Sequence, residues 1–249
     1  MASTRPFIAY YGSKWRLARS GAYPPPLYDR IVEPFAGGAG YSLYWPDLEV
    51  TLVDRDAELA AAWRWLIAAR AKEICNLPLL EPGQTRDDVR WPCEEAKLFV
   101  GYWLSPGSAY SCNRLTSWAD YDKASVWCER TRDALAAQIH LIDHWQIIEG
   151  DYASAPSQSA TWFIDPPYQG RPGSHYRHGS GKIDYEALAS WCHGRQGQVI
   201  VCESSDATWL DFEPLCSQWG TRGRSEEAIA LLGERAGQID IFDDMQMWR

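Results

Sequence analysis

Arg30-Ile31-Val32-Glu33-Pro34-Phe35-Ala36-Gly37-Gly38-Ala39-Gly40 runs from a short β-branched segment into a glycine-rich turn, and residues 41–44 restart a helical pattern. That order predicts strand, turn and helix. Residues 50–53 read as a second strand, stopped by Asp54-Arg55-Asp56, and the Ala-rich stretch 57–71 follows with apolar residues at helical spacing. Two such units in succession predict neighbouring parallel strands.

Further along, Pro78, Pro82, Gly83, Pro92, Pro106 and Gly107 break residues 75–144 into short pieces, helical at 95–104 and 123–143. Short apolar strands resume at 146–148, 161–164 and 198–202, each ending near an acidic residue. Residues 169–182, rich in Gly, Arg and His, read as a mobile loop. A helix is expected at 185–193, a strand or helix at 226–232, and a last strand at 238–242. The expected fold is α/β and Rossmann-like, with a central, mostly parallel sheet and helices on both faces. Residues 1–74 and 145–249 would build it, with residues 75–144 set in as a mostly helical lobe.

The chain has 249 residues, 46% hydrophobic and 23% charged, which excludes a disordered or fibrous protein. Its net charge of -9 and pI near 5.1 mean that the surface as a whole does not advertise nucleic-acid binding. Fourteen Trp and thirteen Tyr against six Phe suit ligand stacking and core filling alike. The most apolar run, residues 59–69, is interrupted by Trp63, Arg64 and Trp65, so no membrane span is expected. No apolar signal core follows the N-terminus, and the seven cysteines never fall as CxxC. Reduced thiols in a cytoplasmic protein, without a zinc site or a disulfide framework, are the expectation.

Two places carry chemistry. The glycines after Glu33-Pro34-Phe35 would let a ligand approach the backbone, and Asp54 closes the second strand where a carboxylate can take both hydroxyls of a ribose. Then Thr161-Trp162-Phe163-Ile164 delivers Asp165-Pro166-Pro167-Tyr168 to the carboxyl edge of the sheet. The prolines stiffen the turn and leave carbonyls without a competing local donor. Asp165 and the Pro166 carbonyl can both accept from one NH2 group, and Tyr168 offers a flat face for a planar base.

Asp-Pro-Pro-Tyr after a strand, downstream of Glu-Pro-Phe-x-Gly and a strand-end Asp, resembles the Dam-like DNA adenine-N6 methyltransferases. Tyr10-Tyr11-Gly12-Ser13-Lys14 is similar to their aromatic-x-Gly-x-Lys cofactor segment, and Gly150-Asp151-Tyr152 to a further cofactor-side motif. The resemblance runs from about Pro6 to Leu232 in the family's motif order. It departs at Ala39, where the family's Phe-x-Gly-x-Gly has its last glycine, and the 75–144 lobe takes the place of the family's target-recognition region.

The resemblance implies the S-adenosylmethionine (SAM)-dependent methyltransferase fold, SAM as cofactor with no metal, and DNA as partner. It implies cofactor contacts from Tyr10, Lys14, Phe35, Gly37, Asp54, Asp151 and Tyr152, with Asp165 at the methionine end. It further implies a flipped adenine whose N6 is held by Asp165 and the Pro166 carbonyl, with Pro167 stiffening the turn and Tyr168 stacking on the ring.

Local charge fits a DNA cleft. Arg5, Lys14, Arg16 and Arg19 lie near the N-terminus, Arg171, His175, Arg177, His178 and Lys182 follow the catalytic turn, and Arg222 and Arg224 come later. Arg171, Tyr176, Arg177 and Lys182 are the expected substrate contacts, while His140, His144 and His193 read as structural. The turn could serve cytosine N4 as well, because it grips an amino group, and RNA or a free nucleotide could be the substrate, but motif order and the Lys14 segment favour adenine in DNA. A SAM- or DNA-binding module without turnover and a nucleotide-dependent oxidoreductase are the readings from other classes. A stand-alone or phage methylase, or one paired with a restriction endonuclease on a separate chain, fits a chain without an endonuclease-like domain.

Overall fold

A computed structural model describes residues 4–81, 83–115, 126–170, 172–220 and 223–234. Five parallel strands, β1 (Arg30–Glu33), β2 (Glu49–Asp54), β3 (Gln146–Glu149), β4 (Ser159–Ile164) and β5 (Gln196–Ser204), join an antiparallel pair, β6 (Glu213–Gly220) and β7 (Gly223–Gly233). The order across the sheet is β3-β2-β1-β4-β5-β7-β6. It reverses direction beside β1, which pairs β2 through Ile31–Val50 and β4 through Ile31–Thr161. Such a reversal leaves a crevice at the carboxyl ends of the two strands.

Alternation along the strands sends apolar residues to both faces, and both are covered. Ile31, Leu52 and Phe163 bury against one layer of helices, α1 (Trp15–Ser20), α2 (Ala57–Ala68), α4 (Glu94–Leu104) and α5 (Glu129–Gln138). Val32, Trp162 and Val199 meet Leu188 and Cys192 of α6 (Tyr185–His193) on the other. Helices α4 and α5 of the 75–144 segment share the first of these cores: Phe99, Tyr102 and Leu135, with Trp127 just ahead of α5, bury together with Phe7 and Ile31. Trp63, Trp103, Trp127, Trp145 and Trp162 are all buried, so core filling is their use.

Several local expectations are corrected. Residues 41–44 form one 3-10 turn, Ser42–Tyr44, because Trp45 precedes Pro46 and leaves helical geometry at φ -124°, ψ 54°. The stretch 57–71 is two helices: α2 stops at Ala68, Ala69 and Arg70 are extended, and Glu73 accepts from Arg70 N–H at 2.8 Å to cap α3 (Ala71–Cys75). Residues 126–128 do not extend α5 backwards, since Cys128 is extended at its N-cap. Edge strand β6 went unexpected because Pro214, sitting at an irregularity in the pairing, breaks its pattern. Residues 226–232 resolve as strand within β7, and 238–242 lie outside the described residues. Among the described residues no helix is long and apolar enough to cross a membrane.

Candidate active site at the sheet edge

Strand β4 ends at Ile164, so the next residue leaves the sheet at the crevice. There Asp165 Oδ1 meets Lys14 Nζ at 2.8 Å. Burial pushes the Asp165 carboxyl up to about 6, against the pull of Lys14. Burial also disfavours the Lys14 ammonium, but Asp165 and Glu227 outweigh it and hold its pKa above the usual lysine range. Lys14 is charged and paired, 4.6 Å from the centre of the Tyr168 ring. Glu203, fully buried, accepts from Gln169 N–H at 3.0 Å and Trp209 Nε1–H at 3.0 Å, which pins the chain just past Tyr168. Tyr185 O–H donates to the Pro167 carbonyl at 2.6 Å and fixes the second proline.

The glycine-rich turn is shaped largely by the chain's own N-terminal segment. A Cβ on Gly38 would press on Ser13 and Tyr10, and one on Gly40 would land on Trp15 N, 2.9 Å from the Lys14 backbone. Gly40 is therefore the gap that lets Lys14 reach Asp165. Gly37, at φ 46°, lies against the Tyr10 ring, donates its N–H to Asp54 Oδ2 at 3.1 Å and accepts from Trp63 Nε1–H at 2.9 Å. Ala39 holds a left-handed φ of 47°, a conformation costing an L-residue roughly 1–2 kcal/mol and one that glycine adopts freely.

Two cavities meet at this segment. The first, about 250 Å³, is lined by Tyr10, Phe35, Gly37, Asp54, Asp151, Tyr152 and Asp165. Burial pushes Asp54 up to about 6, opposed by the amides of Asp56 and Gly37. Phe35 and Tyr152 stack with ring centres 5.6 Å apart, and Asp151 accepts from Ala153 N–H at 3.3 Å. The second cavity, about 710 Å³, is lined by Arg16, Tyr168, Ser204, Asp206 and Glu227 among others. Tyr10–Lys14 and Tyr176 line both.

The expected cofactor residues thus gather in one place. The expected DNA contacts divide. Tyr176 packs on Tyr11, ring centres 5.6 Å apart, and its O–H donates to the Tyr11 carbonyl at 3.4 Å. Arg177 pairs with Glu58 at 2.7 Å and Asp56 at 3.4 Å and lines the first cavity. Lys182 lines that cavity as well, donating to the Arg177 carbonyl at 3.1 Å. Arg171 lies outside the described residues. The 169–182 stretch, expected as a mobile loop, contains two 3-10 turns, Pro172–His175 and Ser180–Lys182, tied by Ser180 O–H to the Gly170 carbonyl at 2.9 Å.

Four buried carboxylates of the site lay outside the expectations: Glu33, Asp56, Glu203 and Glu227. Glu33 opens the glycine-rich motif and accepts from Ser42 N–H at 2.8 Å; burial pushes it up to about 8. Its place in Glu-Pro-Phe was the one available signal. Glu203 and Glu227 lie in strands whose local pattern says nothing about an active site.

The chain matches no protein-family model and no curated protein. Among solved structures it is similar to a conserved hypothetical protein from Streptococcus pyogenes, at 9% identity and a TM-score of 0.35, over 83% of this chain and 90% of that one. A likeness this slight carries no argument about function.

Proposed function

We propose that the protein is a SAM-dependent methyltransferase of the Dam-like kind, acting on the exocyclic N6 of an adenine flipped out of DNA. The observation that carries the reading is the Asp165–Tyr168 turn at the sheet's reversal point, between two cavities that share the Lys14 segment. Asp165 lines the first, Tyr168 the second, and Lys14 both.

The first cavity suits SAM by its donor set. Each Asp54 oxygen accepts one backbone amide, at 3.1 Å from Gly37 and 2.9 Å from Asp56, and keeps a lone-pair site for a ribose hydroxyl. The Phe35–Tyr152 pair offers an aromatic surface for the adenine ring. Bound there, SAM supplies an electrophilic methyl group. The chain's own residues do the rest. An exocyclic amine is a poor nucleophile because its lone pair is delocalised into the ring. Asp165 and the Pro166 carbonyl, accepting its two hydrogens, favour a pyramidal nitrogen with the lone pair aimed toward the first cavity. Asp165 is also placed to take the proton that the nitrogen releases once methylated. The Tyr168 ring, braced by Glu227, gives the base a face to stack on.

Labelled methyl transfer from SAM to unmethylated duplex DNA, read by nucleoside mass spectrometry, tests the proposal. N6-methyladenine is the expected product. N4-methylcytosine would keep the mechanism and change the base. Cofactor binding without any modified DNA or RNA would leave a binding module.

The rate should also depend on pH with a definite sign. Asp165 can take the released proton only when ionised, so kcat/KM for DNA at saturating SAM should climb as pH rises through about 6 and level off above it. Asp54 titrates in the same range, so the KM for SAM should rise on the acid side. A kcat/KM that stays flat from about pH 5 to 7.5 would remove Asp165 from the proton-accepting role.

A further inference from the structure

Strand β7 carries Glu226 and Glu227 side by side, and the two-residue period of a strand points them to opposite faces. Glu226 is exposed, while Glu227 is 8% exposed. The pairing of Glu227 with Ser204 sets it at the carboxyl end of β5, on the sheet edge that also carries Asp165. One oxygen, Glu227 Oε1, draws three groups. Tyr23 O–H donates to it at 2.8 Å, Tyr168 O–H donates to it as well, and Lys14 Nζ lies 3.6 Å away. The same ammonium is 2.8 Å from Asp165 Oδ1.

One cation therefore stands between two carboxylates and bonds one of them. A target amino group must accept an arrangement in which Asp165 is already engaged by Lys14. Ejecting the ammonium into a buried space without a counter-ion would be prohibitive. Of the other buried carboxylates nearby, Glu203 is occupied by Gln169, Ser204 and Trp209, and Glu33 by the Ser42 amide.

We propose that Glu227 is a positioning residue for methyl transfer, the second carboxylate onto which the Lys14 ammonium moves when a target amino group takes its place on Asp165. The move closes the gap from 3.6 Å to hydrogen-bond length. The charge of the cluster does not change, and no ion is left unpaired. The hydroxyls of Tyr23 and Tyr168 hold Glu227 still while this happens. This inference rests on the methyltransferase reading above.

Glu227→Gln tests it, because the amide oxygen still accepts from both tyrosines while the charge that receives Lys14 is gone. With saturating SAM and unmethylated plasmid DNA, kcat should fall by about tenfold or more while SAM affinity and thermal midpoint stay near wild type. The double variant Lys14→Gln/Glu227→Gln should be no slower than Lys14→Gln alone, since Glu227 then has no ammonium to receive. Losses that add in the double variant would mean that Glu227 acts only by bracing Tyr168, and the inference falls. It falls equally if Glu227→Gln keeps the wild-type kcat. A wild-type protein that binds SAM but methylates neither DNA nor RNA overturns the methyltransferase reading itself, and the inference with it.

Discussion

Asp165→Ala should lower methyl transfer by a factor of about 10²–10³ while leaving SAM affinity within a few-fold of wild type. The loss follows from removing the acceptor that orients the amine and takes its proton. The fold should survive, because the Lys14 ammonium keeps Glu227 as a counter-ion, 3.6 Å away before any adjustment. Asp54→Ala should do the opposite first. Asp54 binds the amides of Gly37 and Asp56 and lines only the first cavity, so its removal should raise the Kd for SAM by about tenfold or more with a smaller effect on kcat at saturation. Calorimetric titration of SAM into each variant, beside steady-state methyl transfer, separates the two. Equal loss of SAM binding in both variants would end this division of roles.

Gly40→Ala should damage both the fold and turnover. Its new Cβ would land on the Trp15 backbone nitrogen and within 2.9 Å of the Lys14 backbone, so no flexible side-chain end can yield. Overpacking of this kind costs about 1–3 kcal/mol, which corresponds to a thermal midpoint lower by roughly 2–12 °C in a chain of this size. Methyl transfer should fall further than stability does, because the atoms pushed aside carry Lys14. Gly21→Ala is the control. Its Cβ meets nothing within 4 Å, and only its φ of 76° is unfavourable, so it should lose about 1–2 kcal/mol and keep its activity. A Gly40→Ala protein with wild-type melting and turnover would show that the turn yields, and that Gly40 does not seat the lysine.

The strand-to-turn passages were legible because their signals are local. Arg30–Glu33 and Ser159–Ile164 are apolar strands ending at Pro-containing turns, and Asp54 and Asp165 emerge at strand ends as their sequence neighbours require. Helix ends were read less well. Ala69 and Arg70 have ordinary helical propensity, and the break between α2 and α3 comes from a capping contact to Glu73. Edge strand β6 was missed because an edge tolerates Pro214 and the mixed polarity around it. Arg177 was read as a DNA contact from its loop's composition and its place after Tyr168; its ion-pair partners Asp56 and Glu58 lie over a hundred residues back.

By itself the sequence determined the α/β character and the placing of Asp54 and Asp165 at strand ends. Hydrophobic period, glycine and proline act over a few residues, and those features need nothing longer. Only the tertiary structure decided which carboxylates face Lys14, why Gly40 is a glycine and where Arg177 goes. Tyr168 and Glu227 are 59 residues apart, and Tyr23 and Glu227 are 204 apart. What joins them is the order of strands across the sheet, with β7 running antiparallel beside β5. That order is chosen by the burial of whole faces, and no single segment encodes it.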